Sequence, residues 1–328
     1  MALNTGLFKE LLGKVEGKNI PIVFPEGKDK RILHAAVRLS ATSAVKPVVI
    51  GKREELEALA NEEFLQIGGL EIVDHLSYDG IEEMVAALVE RRAGKVTEEQ
   101  ARELLKDVNY FGTMLVYMNK VAGLVSGAMH STGDTVRPAL QIIKTKAGVK
   151  RTSGAFIMSR GEERYVFADC AINPTLDAEG LSEVAITSAE TAKSFNIDPK
   201  VAMLSFSTYG SAKTPDTEKV AEATKLVKEK APELSVTGEI QFDAAIVPAV
   251  AKLKCPDSEI QGDSNVFVFP SLEAGNIGYK IAERLGGFDA IGPILQGLNA
   301  PVNDLSRGCN ELDVLKLALI TAVQSLEK

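Results

Sequence analysis

Cysteine is scarce in this sequence, and the few cysteines are badly spaced for cross-linking or for holding a metal. Only Cys170, Cys255 and Cys309 occur in 328 residues, and none of them belongs to a CxxC pair. An odd, widely separated set is not typical of a disulfide framework or of a zinc site. We therefore expect reduced thiols and no bound metal, which predicts a cytoplasmic protein.

Long apolar runs and an excess of positive charge are also lacking. The densest apolar stretches, at 266–269 and 317–323, are far too short to cross a membrane. The first residues show no basic region followed by an apolar block, so we expect no signal peptide. Lys and Arg number 37 against 45 Asp and Glu, a net charge of −8, which is unlike a nucleic-acid-binding or phospholipid-binding protein. We therefore expect no nucleic acid and no membrane among the partners, and any anion site must be a local cluster.

Several standard catalytic and nucleotide-binding motifs are missing. The patterns GxGxxG, GxxxxGK[ST], HExxH and GxSxG do not occur. Their absence argues against a typical nucleotide-binding first domain, a zinc protease and an α/β-hydrolase. Low-complexity segments and fixed-period repeats are missing as well, which leaves an ordinary globular protein.

Strand-like and helix-like segments alternate along most of the chain. Residues 20–27 are typical of a buried strand, 29–41 of a helix with one apolar face, and 45–51 of a second strand. Residues 80–107 are typical of a helix broken near Gly94, after which Thr97 begins a capping-box pattern. Such alternation predicts an α/β fold with mostly parallel sheets covered by helices.

A change of pattern near residue 148 predicts a second α/β unit. Further strands are predicted at 152–159, 165–172, 201–207, 244–250 and 265–270, and further helices at 181–195 and 215–231. The chain length also favours two domains, because single cores stop growing near about 250–300 residues. The closing helix after Asn310 carries an apolar stripe and should pack on the first unit. The predicted domains are therefore 1–147 plus 292–328, and 148–291.

The segment NDLSRGCNELD, residues 303–313, gathers a hydroxyl, a fixed cation, a thiol and a carboxylate before a predicted helix. Asn310 and Asp313 fit the N-cap and N3 positions, so Asp313 is either a helix-stabilising residue or a functional carboxylate. Arg307 lies where the helix dipole disfavours a cation, unless an anion sits between the two. Ser306 either donates to that anion or forms a local turn. The segment thus predicts an anion site.

Residues 127–143 repeat this pattern of hydroxyls and an arginine around a helix start. Ser131 and Thr132 precede the predicted helix, and we place Arg137 in its first turn because Pro138 is tolerated only near a helix start. The alternatives are a second anion site, or half of one, and an ordinary set of caps beside a solvated arginine.

Six further side chains either contact a ligand or serve only the fold: His130, Cys309, Arg91, Arg92, Ser271 and Asn276. A helix start lowers thiol pKa values and would make the cysteine a nucleophile, although a lone cysteine is more often packed. The adjacent arginines are either a solvated helix end or a grip on a large anion. The serine and asparagine follow a predicted strand end, where ligands of parallel sheets collect, but they also fit caps and turns.

Five segments together resemble the phosphotransacetylase (phosphate acetyltransferase) family. They are NDLSRGCNELD (303–313), GAMHSTGDTVRPALQI (127–142), FADCAINP (167–174), MLSFSTYGSA (203–212) and PSLEAGNIGYK (270–280). The likeness covers nearly the whole chain, and the chain length fits the short, two-domain form. Phosphate butyryltransferases share the fold but fit these loops less well. Tyr209 departs from the family pattern, which has a lysine at that position.

The resemblance implies two α/β/α three-layer domains of the isocitrate-dehydrogenase-like kind, with an interdomain cleft and usually a homodimer. It implies the reaction acetyl-CoA + phosphate ⇌ CoA + acetyl phosphate, a reaction of acetate metabolism. Coenzyme A and its acetyl thioester are then substrates, together with phosphate and acetyl phosphate, and no cofactor is permanently bound.

The resemblance also implies roles for individual residues. The serine, arginine and aspartate that carry the chemistry in the family correspond to Ser306, Arg307 and Asp313. The arginines that bind coenzyme A or the phosphorylated substrate correspond to Arg137 and to Arg91, with Arg92 as the neighbouring alternative. The Cys309 match is regular in the family, whose catalysis does not proceed through a cysteinyl intermediate.

Other classes of function remain as rivals of this interpretation. A metal- and NAD-dependent decarboxylating dehydrogenase has the same architecture, but it needs an aspartate cluster that the sequence does not display. A covalent enzyme using Cys309 would show ping-pong kinetics. A non-catalytic anion-binding protein would bind coenzyme A or phosphate without turnover.

Overall fold

A computed structural model describes residues 6–327, and of Glu327 only the backbone. The chain divides into two compact units. Unit 1 joins Met1–Lys146 with Leu298–Lys328, and unit 2 is Ala147–Gly297. Each unit contains one sheet and its own helices.

The elements are numbered in chain order. The helices are α1 (Gly6–Val15), α2 (Lys30–Ser40), α3 (Arg53–Glu62), α4 (Ile81–Arg92), α5 (Glu98–Leu104), α6 (Val108–Tyr117), α7 (Thr132–Pro138), α8 (Ala178–Ser194), α9 (Pro215–Lys230), α10 (Phe242–Ile246), α11 (Pro248–Lys254), α12 (Leu272–Arg284) and α13 (Glu311–Gln324). The strands are β1 (Ile20–Phe24), β2 (Val45–Ile50), β3 (Glu71–Val73), β4 (Gly123–Ser126), β5 (Ser153–Arg160), β6 (Glu163–Ala168), β7 (Val201–Leu204), β8 (Val236–Ile240), β9 (Val266–Val268), β10 (Asp289–Gln296) and β11 (Val302–Asp304). Between residues 6 and 327, no helix has both the length and the apolar character needed to span a bilayer.

Unit 1 is built on a five-stranded parallel sheet with strand order β11-β4-β1-β2-β3. Its central strand β1 is almost wholly buried, because helices cover the apolar residues of a parallel sheet on both faces. The register pairs Val23 with Leu124 and Ser126 with Asp304. The carboxyl ends of β1, β4 and β11 are therefore neighbours, and the loops that follow them lie side by side.

Unit 2 is built on a six-stranded sheet with strand order β10-β5-β6-β9-β7-β8. The pairs β10/β5 and β5/β6 are antiparallel, and the remaining pairs are parallel. Aromatic side chains such as Phe156, Phe167 and Phe267 fill its core. The predicted α/β class with two mostly parallel sheets is confirmed. Residues 147 and 292–297, which we assigned to the first domain, lie in unit 2; residues 292–296 belong to β10, which pairs with β5.

One predicted strand is wrong. Residues 244–250 belong to two short helices, α10 and α11, and the neighbouring strand of the sheet is instead β8. Pro248 occupies the first turn of α11, where its missing N–H costs nothing, whereas it would remove a ladder hydrogen bond from a central strand. The run of small apolar residues had suggested a strand only because short runs do not distinguish a buried strand from a helix.

Two predicted helix starts are confirmed. Thr97 and Gln100 form a reciprocal capping box at the start of α5. Asn310 and Asp313 form another at the start of α13. Such boxes satisfy two of the backbone N–H groups that every helix start leaves without an intrahelical partner.

Candidate active site

Three loops of unit 1 form the candidate site, and we call them the site loops. They follow β1, β4 and β11 at residues 25–29, 127–131 and 305–310. Ligands of parallel α/β sheets gather beyond the carboxyl ends of the strands, so this edge of the sheet is the expected place. The site loops contain five of the residues singled out in the sequence: His130, Ser131, Ser306, Arg307 and Cys309.

Glu26 organises the loop after β4. Its carboxylate is buried, with 3% of the residue exposed. It accepts backbone hydrogen bonds from Gly127, Ala128, Met129 and His130 at 2.7–2.9 Å. The Nδ1 atom of His130 lies 2.7 Å from the same carboxylate. A charged acceptor that gathers four N–H groups makes strong hydrogen bonds and fixes the loop.

Arg31 ties two of the site loops together. Its guanidinium donates to the carbonyl oxygens of Arg307 (2.8 Å), Cys309 (2.9 Å) and Ala128 (2.8 Å). Asp29 holds the guanidinium by accepting from Nε and Nη2. Burial would raise the pKa of Asp29, but the hydrogen bonds from Arg31 lower it overall. The Arg31 guanidinium therefore fixes the backbone of the loop that carries Arg307.

Asp304 joins the loop after β11 to the start of α7. Only 1% of Asp304 is exposed, and its Oδ2 accepts a hydrogen bond from the Thr132 hydroxyl at 2.6 Å. Burial raises the pKa of Asp304 to about 6. The Thr132 hydroxyl is therefore committed to an internal contact. Gly127 leaves room for this carboxyl, since a Cβ on it would lie 2.5 Å from Asp304 Oδ1.

Ser306 and Arg307 are both exposed in the loop after β11. The Ser306 Oγ accepts from the Gly308 N–H at 3.3 Å, which closes a local turn. Among residues 6–327, the Arg307 side chain has neither a hydrogen bond nor an ion pair, although its backbone carbonyl is held by Arg31. An exposed cation without a partner, close to the positive end of α13, is available to an external anion.

Asp313 is a helix cap with one oxygen to spare. Its Oδ2 accepts from the Asn310 N–H at 2.9 Å, and its own N–H donates to Asn310 Oδ1 at 3.1 Å. Within the described chain, Oδ1 of Asp313 accepts no hydrogen bond. The structural interpretation of Asp313 is therefore correct, and it leaves one carboxylate oxygen free to act on a ligand.

Cys309 is a packed thiol. It is 7% exposed, and burial raises its pKa to about 11, with the Asp313 carboxylate adding to the increase. The positive charge of Arg31 lowers the pKa by less than burial raises it. The thiol is therefore protonated at neutral pH, and the helix start does not make it a thiolate.

Arg137 lies in the second turn of α7, not in the first turn as we predicted. The helix begins earlier, at Thr132, because Ser131 donates to Asp134 through its N–H (3.1 Å) and its hydroxyl (2.7 Å). Pro138 ends α7, and the chain continues as a π-helical turn over Ala139–Ile143. The Arg137 side chain is exposed and has no partner in the described part of the chain.

Arg91 and Arg92 at the end of α4 have different surroundings. Arg91 donates to the carbonyl oxygens of Ile142 (2.5 Å) and Ile143 (2.9 Å), so its guanidinium holds the end of the π turn. Arg92 makes one long contact, 3.4 Å to the Gln141 carbonyl, and its Nε has no partner among the described residues. Arg91 is engaged in structure, whereas Arg92 retains free donors.

Tyr110 places Arg92 and Arg137 in one neighbourhood. Burial raises the pKa of Tyr110, and the positive charges of Arg137 and Arg92 both oppose that increase. The tyrosine hydroxyl donates to Gln141 Oε1 at 2.9 Å. Arg92 and Arg137 therefore form a cationic patch in unit 1.

Ser271 and Asn276 lie in unit 2 and serve local structure there. Ser271 is the N-cap of α12 and accepts from the Ala274 N–H at 3.4 Å. Asn276 lies inside α12, because the cap starts the helix at Leu272. Its Nδ2 donates to the Cys170 carbonyl at 3.0 Å.

Tyr209, the departure from the family pattern, is also in unit 2. Its backbone is left-handed, with φ of 47°, and its N–H donates to the Glu239 carbonyl at 3.0 Å. Its hydroxyl lies 2.8 Å from the Thr237 hydroxyl. The Tyr209 hydroxyl thus makes a polar contact with another residue of unit 2.

Four charged residues in or beside the site loops were not predicted from the sequence: Glu26, Asp29, Arg31 and Asp304. Each follows or ends a buried strand, which is the only local signal that pointed to them. Asp29 and Arg31 contact each other, but the other partners of Glu26, Arg31 and Asp304 are about a hundred or more residues away in sequence, so spacing alone could not reveal those contacts. Nowhere between residues 6 and 327 do three or more His, Cys, Asp or Glu side chains form a potential metal site.

A family model and curated relatives of this chain are named as phosphate acyltransferases. The family model described as phosphate acetyl/butaryl transferase matches residues 7–322. A phosphate acetyltransferase of Bacillus subtilis is 66% identical over 320 residues, covering 98% of this chain and 99% of the relative.

Solved structures agree with that result. A phosphotransacetylase from Staphylococcus aureus aligns with a TM-score of 0.92 and 61% identity, covering 97% of this chain and 98% of that chain. A phosphotransacetylase from Streptococcus pyogenes aligns with a TM-score of 0.94 and 56% identity, covering 98% of both chains.

Proposed function

The chain belongs to the phosphate acetyl/butaryl transferase family, and from that membership we propose that it is a phosphate acetyltransferase. The reaction is acetyl-CoA + phosphate ⇌ CoA + acetyl phosphate. The observation that carries the proposal is an exposed, unpaired Arg307 six residues before Asp313, which keeps one carboxylate oxygen unbonded, in a chain 66% identical to a phosphate acetyltransferase.

The proposed chemistry is a direct attack within a ternary complex. In the direction of acetyl-CoA synthesis, the Asp313 carboxylate accepts the thiol proton of CoA. The thiolate sulfur then bonds to the carbonyl carbon of acetyl phosphate, and the bond from that carbon to the phosphate oxygen breaks. Phosphate leaves with the electron pair of that bond.

Arg307 and Ser306 stabilise the charge that develops during this step. Arg307 pairs with phosphate oxygens and with the tetrahedral centre, and Ser306 donates its hydroxyl hydrogen to the same centre. Such directed donors are worth about 3–4 kcal/mol each in known enzymes, and a positioned base adds about 10²–10⁴ in rate. Holding both substrates in contact supplies much of the remaining acceleration.

Arg137 and Arg92 are the proposed grip on the anionic part of coenzyme A. Both lie near Tyr110, and both have donors without partners among the described residues. Arg91 holds the neighbouring π turn through its carbonyls and is proposed as a support of this patch. The Ser131 and Thr132 hydroxyls already donate to carboxylates, which favours a structural role for both.

A covalent route through Cys309 is disfavoured by the thiol itself. With a pKa of about 11, it is protonated at neutral pH and a poor nucleophile. The direct mechanism therefore predicts sequential kinetics, with intersecting initial-velocity lines for the two substrates, and near-normal kcat in Cys309→Ala. Parallel lines would indicate a covalent intermediate.

The test is a thioester-absorbance assay of the purified chain with acetyl phosphate and CoA. Formation of thioester without NAD supports the proposal. Binding of CoA with no turnover would show an anion-binding protein instead. Because the family description names both acyl groups, butyryl phosphate is assayed in parallel, and a higher kcat/KM with it would favour the butyryl alternative. Cytoplasmic location, a homodimer and a place in acetate metabolism remain proposals that rest on the family resemblance.

A further inference from the structure

Two buried carboxylates of unit 1 flank the loop that begins at Gly127, and they accept different numbers of hydrogen bonds. Glu26 receives four backbone N–H donors and lies 2.7 Å from the His130 ring. Asp304 receives one side-chain hydrogen bond, from Thr132, and its Oδ1 has no hydrogen-bond partner among residues 6–327. A buried carboxylate with so few donors carries a desolvation cost that calls for an explanation.

Asp304 is placed between two parts of the candidate site. It is the last residue of β11, two residues before Ser306 and three before Arg307. Its hydrogen-bond donor, Thr132, is the first residue of α7, the helix that carries Arg137. One hydrogen bond of 2.6 Å therefore joins the backbone that presents the catalytic arginine to the helix that presents a substrate-binding arginine.

Arg31 also connects the two loops through their backbone carbonyls, whereas the neighbours of Asp304 in the strand make other contacts. The Leu305 N–H donates to the Ser126 carbonyl at 2.6 Å, which holds the backbone of the two strands in register. The Asn303 side chain points to the opposite face of β11, where it donates to Thr321 and Gln324 of α13. Asp304 alone provides the side-chain link from β11 to α7 among these contacts.

We propose that Asp304 is a positioning residue of the transferase site, whose ionised carboxylate holds the Ser306–Arg307 loop against the start of α7 through Thr132. The proposal rests on the proposed acetyl transfer. It assigns to Asp304 no contact with substrate.

The groups that face Asp304 make its ionised form costly. Burial raises its pKa to about 6 from an ordinary value of 3.8, and the negative charge of Glu26 acts in the same direction. The Thr132 and Thr135 hydroxyls and the Leu305 N–H lower the pKa, although Thr135 lacks the geometry of a hydrogen bond.

The sign of the linkage follows from that increase. Between pH 3.8 and about 6 the folded chain binds a proton that the unfolded chain has lost, so stability falls as the pH rises through this window. At neutral pH the charge on Asp304 is therefore a cost to folding. A charge kept at such a cost is typical of residues retained for function.

The experiment compares Asp304→Asn, Thr132→Val and the double variant in the full chain. Each is assayed for kcat and for both KM values, and its melting temperature is measured. Thr321→Val is the matched control, since it removes a hydroxyl that accepts from Asn303 on the other face of the same strand. We expect each single variant to lower kcat about tenfold to a hundredfold, as small displacements of reacting groups do.

Two readouts separate positioning from a merely structural role. The double variant should be no slower than the slower single variant, because both changes break the same link. The melting temperature of Asp304→Asn at pH 7 should equal or exceed that of the wild type, because a costly charge is removed. Thr321→Val should lower the melting temperature and leave kcat within about twofold, as expected for a buried hydrogen bond remote from the site.

The pH profile is the third readout. The wild-type kcat should fall as the pH is lowered through about 6, because protonated Asp304 no longer attracts the Thr132 hydroxyl as an anion does. Asp304→Asn should lack that step and keep its low kcat across the range. A profile with the same step in both proteins would assign the titration to another group and contradict the proposal.

Each outcome decides one question. Wild-type kcat in folded Asp304→Asn or Thr132→Val, additive losses, or an equal loss in Thr321→Val would overturn the positioning role. If Asp304→Asn fails to fold, Thr132→Val and its pH profile decide alone. A wild-type chain that forms no thioester would instead contradict the proposed function.

Discussion

The two units each place an arginine and an aspartate near a helix start, and they use them differently. In unit 2, Arg151 donates to Asp177, the N-cap of α8, at 2.8 Å and 3.4 Å, and this contact lowers the pKa of Asp177 to about 2. In unit 1, the Arg307 side chain has no partner among residues 6–327, and Asp313 bonds to the backbone of Asn310. The residue types are alike, but only the unit 1 arginine still lacks an anion.

Each unit also contains a buried carboxylate that accepts several backbone hydrogen bonds. Asp169 in unit 2 gathers backbone N–H groups much as Glu26 does in unit 1. Its donors are Gly154, Ala171, Ile172 and Asn173, at 2.9–3.0 Å. A buried carboxylate that shapes a loop is therefore not in itself a mark of function. What distinguishes unit 1 is Arg307 on the neighbouring loop after β11, whose side chain has no partner among residues 6–327.

The largest expected effect comes from Asp313. Asp313→Asn keeps the helix cap but removes the proposed base, so kcat should fall about 10²–10⁴-fold. The unit 2 counterpart, Asp177→Asn, should leave kcat near the wild-type value. The thioester assay on both variants measures the difference. Near-full turnover in Asp313→Asn would show that the base assignment is wrong.

The second largest loss of kcat is expected from a change at Arg307. Arg307→Ala is expected to lower kcat about 10²–10³-fold, because it removes a donor directed at developing charge. Arg151→Ala is the control: it should leave kcat unchanged and abolish the stabilisation from the Asp177 pair. In the wild type that stabilisation is present above the ordinary pKa of 3.8 and is lost as the pH falls toward about 2. Comparable losses of kcat in both variants would remove the contrast between the units.

The two loop-shaping carboxylates should separate stability from catalysis. Glu26→Gln and Asp169→Asn each replace a charged acceptor by a neutral one and should lose about 1–3 kcal/mol of unfolding free energy. We expect Glu26→Gln to lower kcat roughly tenfold as well, since it loosens a site loop. Denaturant unfolding and the thioester assay on the same samples test this. A larger loss of kcat in Asp169→Asn would reverse the assignment of the site loops.

The smallest effect concerns the two adjacent arginines of α4. Arg92→Ala should raise the KM for CoA roughly tenfold with kcat nearly unchanged, the result of losing uniform binding. Arg91→Ala should mainly lower the melting temperature, because its guanidinium holds the carbonyls of Ile142 and Ile143. Steady-state kinetics and thermal unfolding on both variants distinguish them. A rise of KM only in Arg91→Ala would restore the prediction made from the sequence.

The sequence predicted what depends on neighbours in the chain. Asn310 and Asp313 lie three residues apart, so their capping box could be read directly. Glu26 and Arg31 act on partners far along the chain, and only the pairing of β1, β4 and β11 brings these together. The sequence could not decide which of Arg91 and Arg92 binds the ligand. Consecutive residues of a helix project about 100° apart, so the two side chains have different surroundings.

The lack of space for a side chain at Gly127 limits which natural variants of this chain can function. The volume that a methyl group would need there is already taken by Asp304 and by the backbone of Leu305, each 2.5 Å away. Even alanine at this position would push against the segment that presents Ser306, almost two hundred residues later in the chain. A selection for loss of acetyl transfer should therefore recover changes at Gly127 as readily as changes at Arg307.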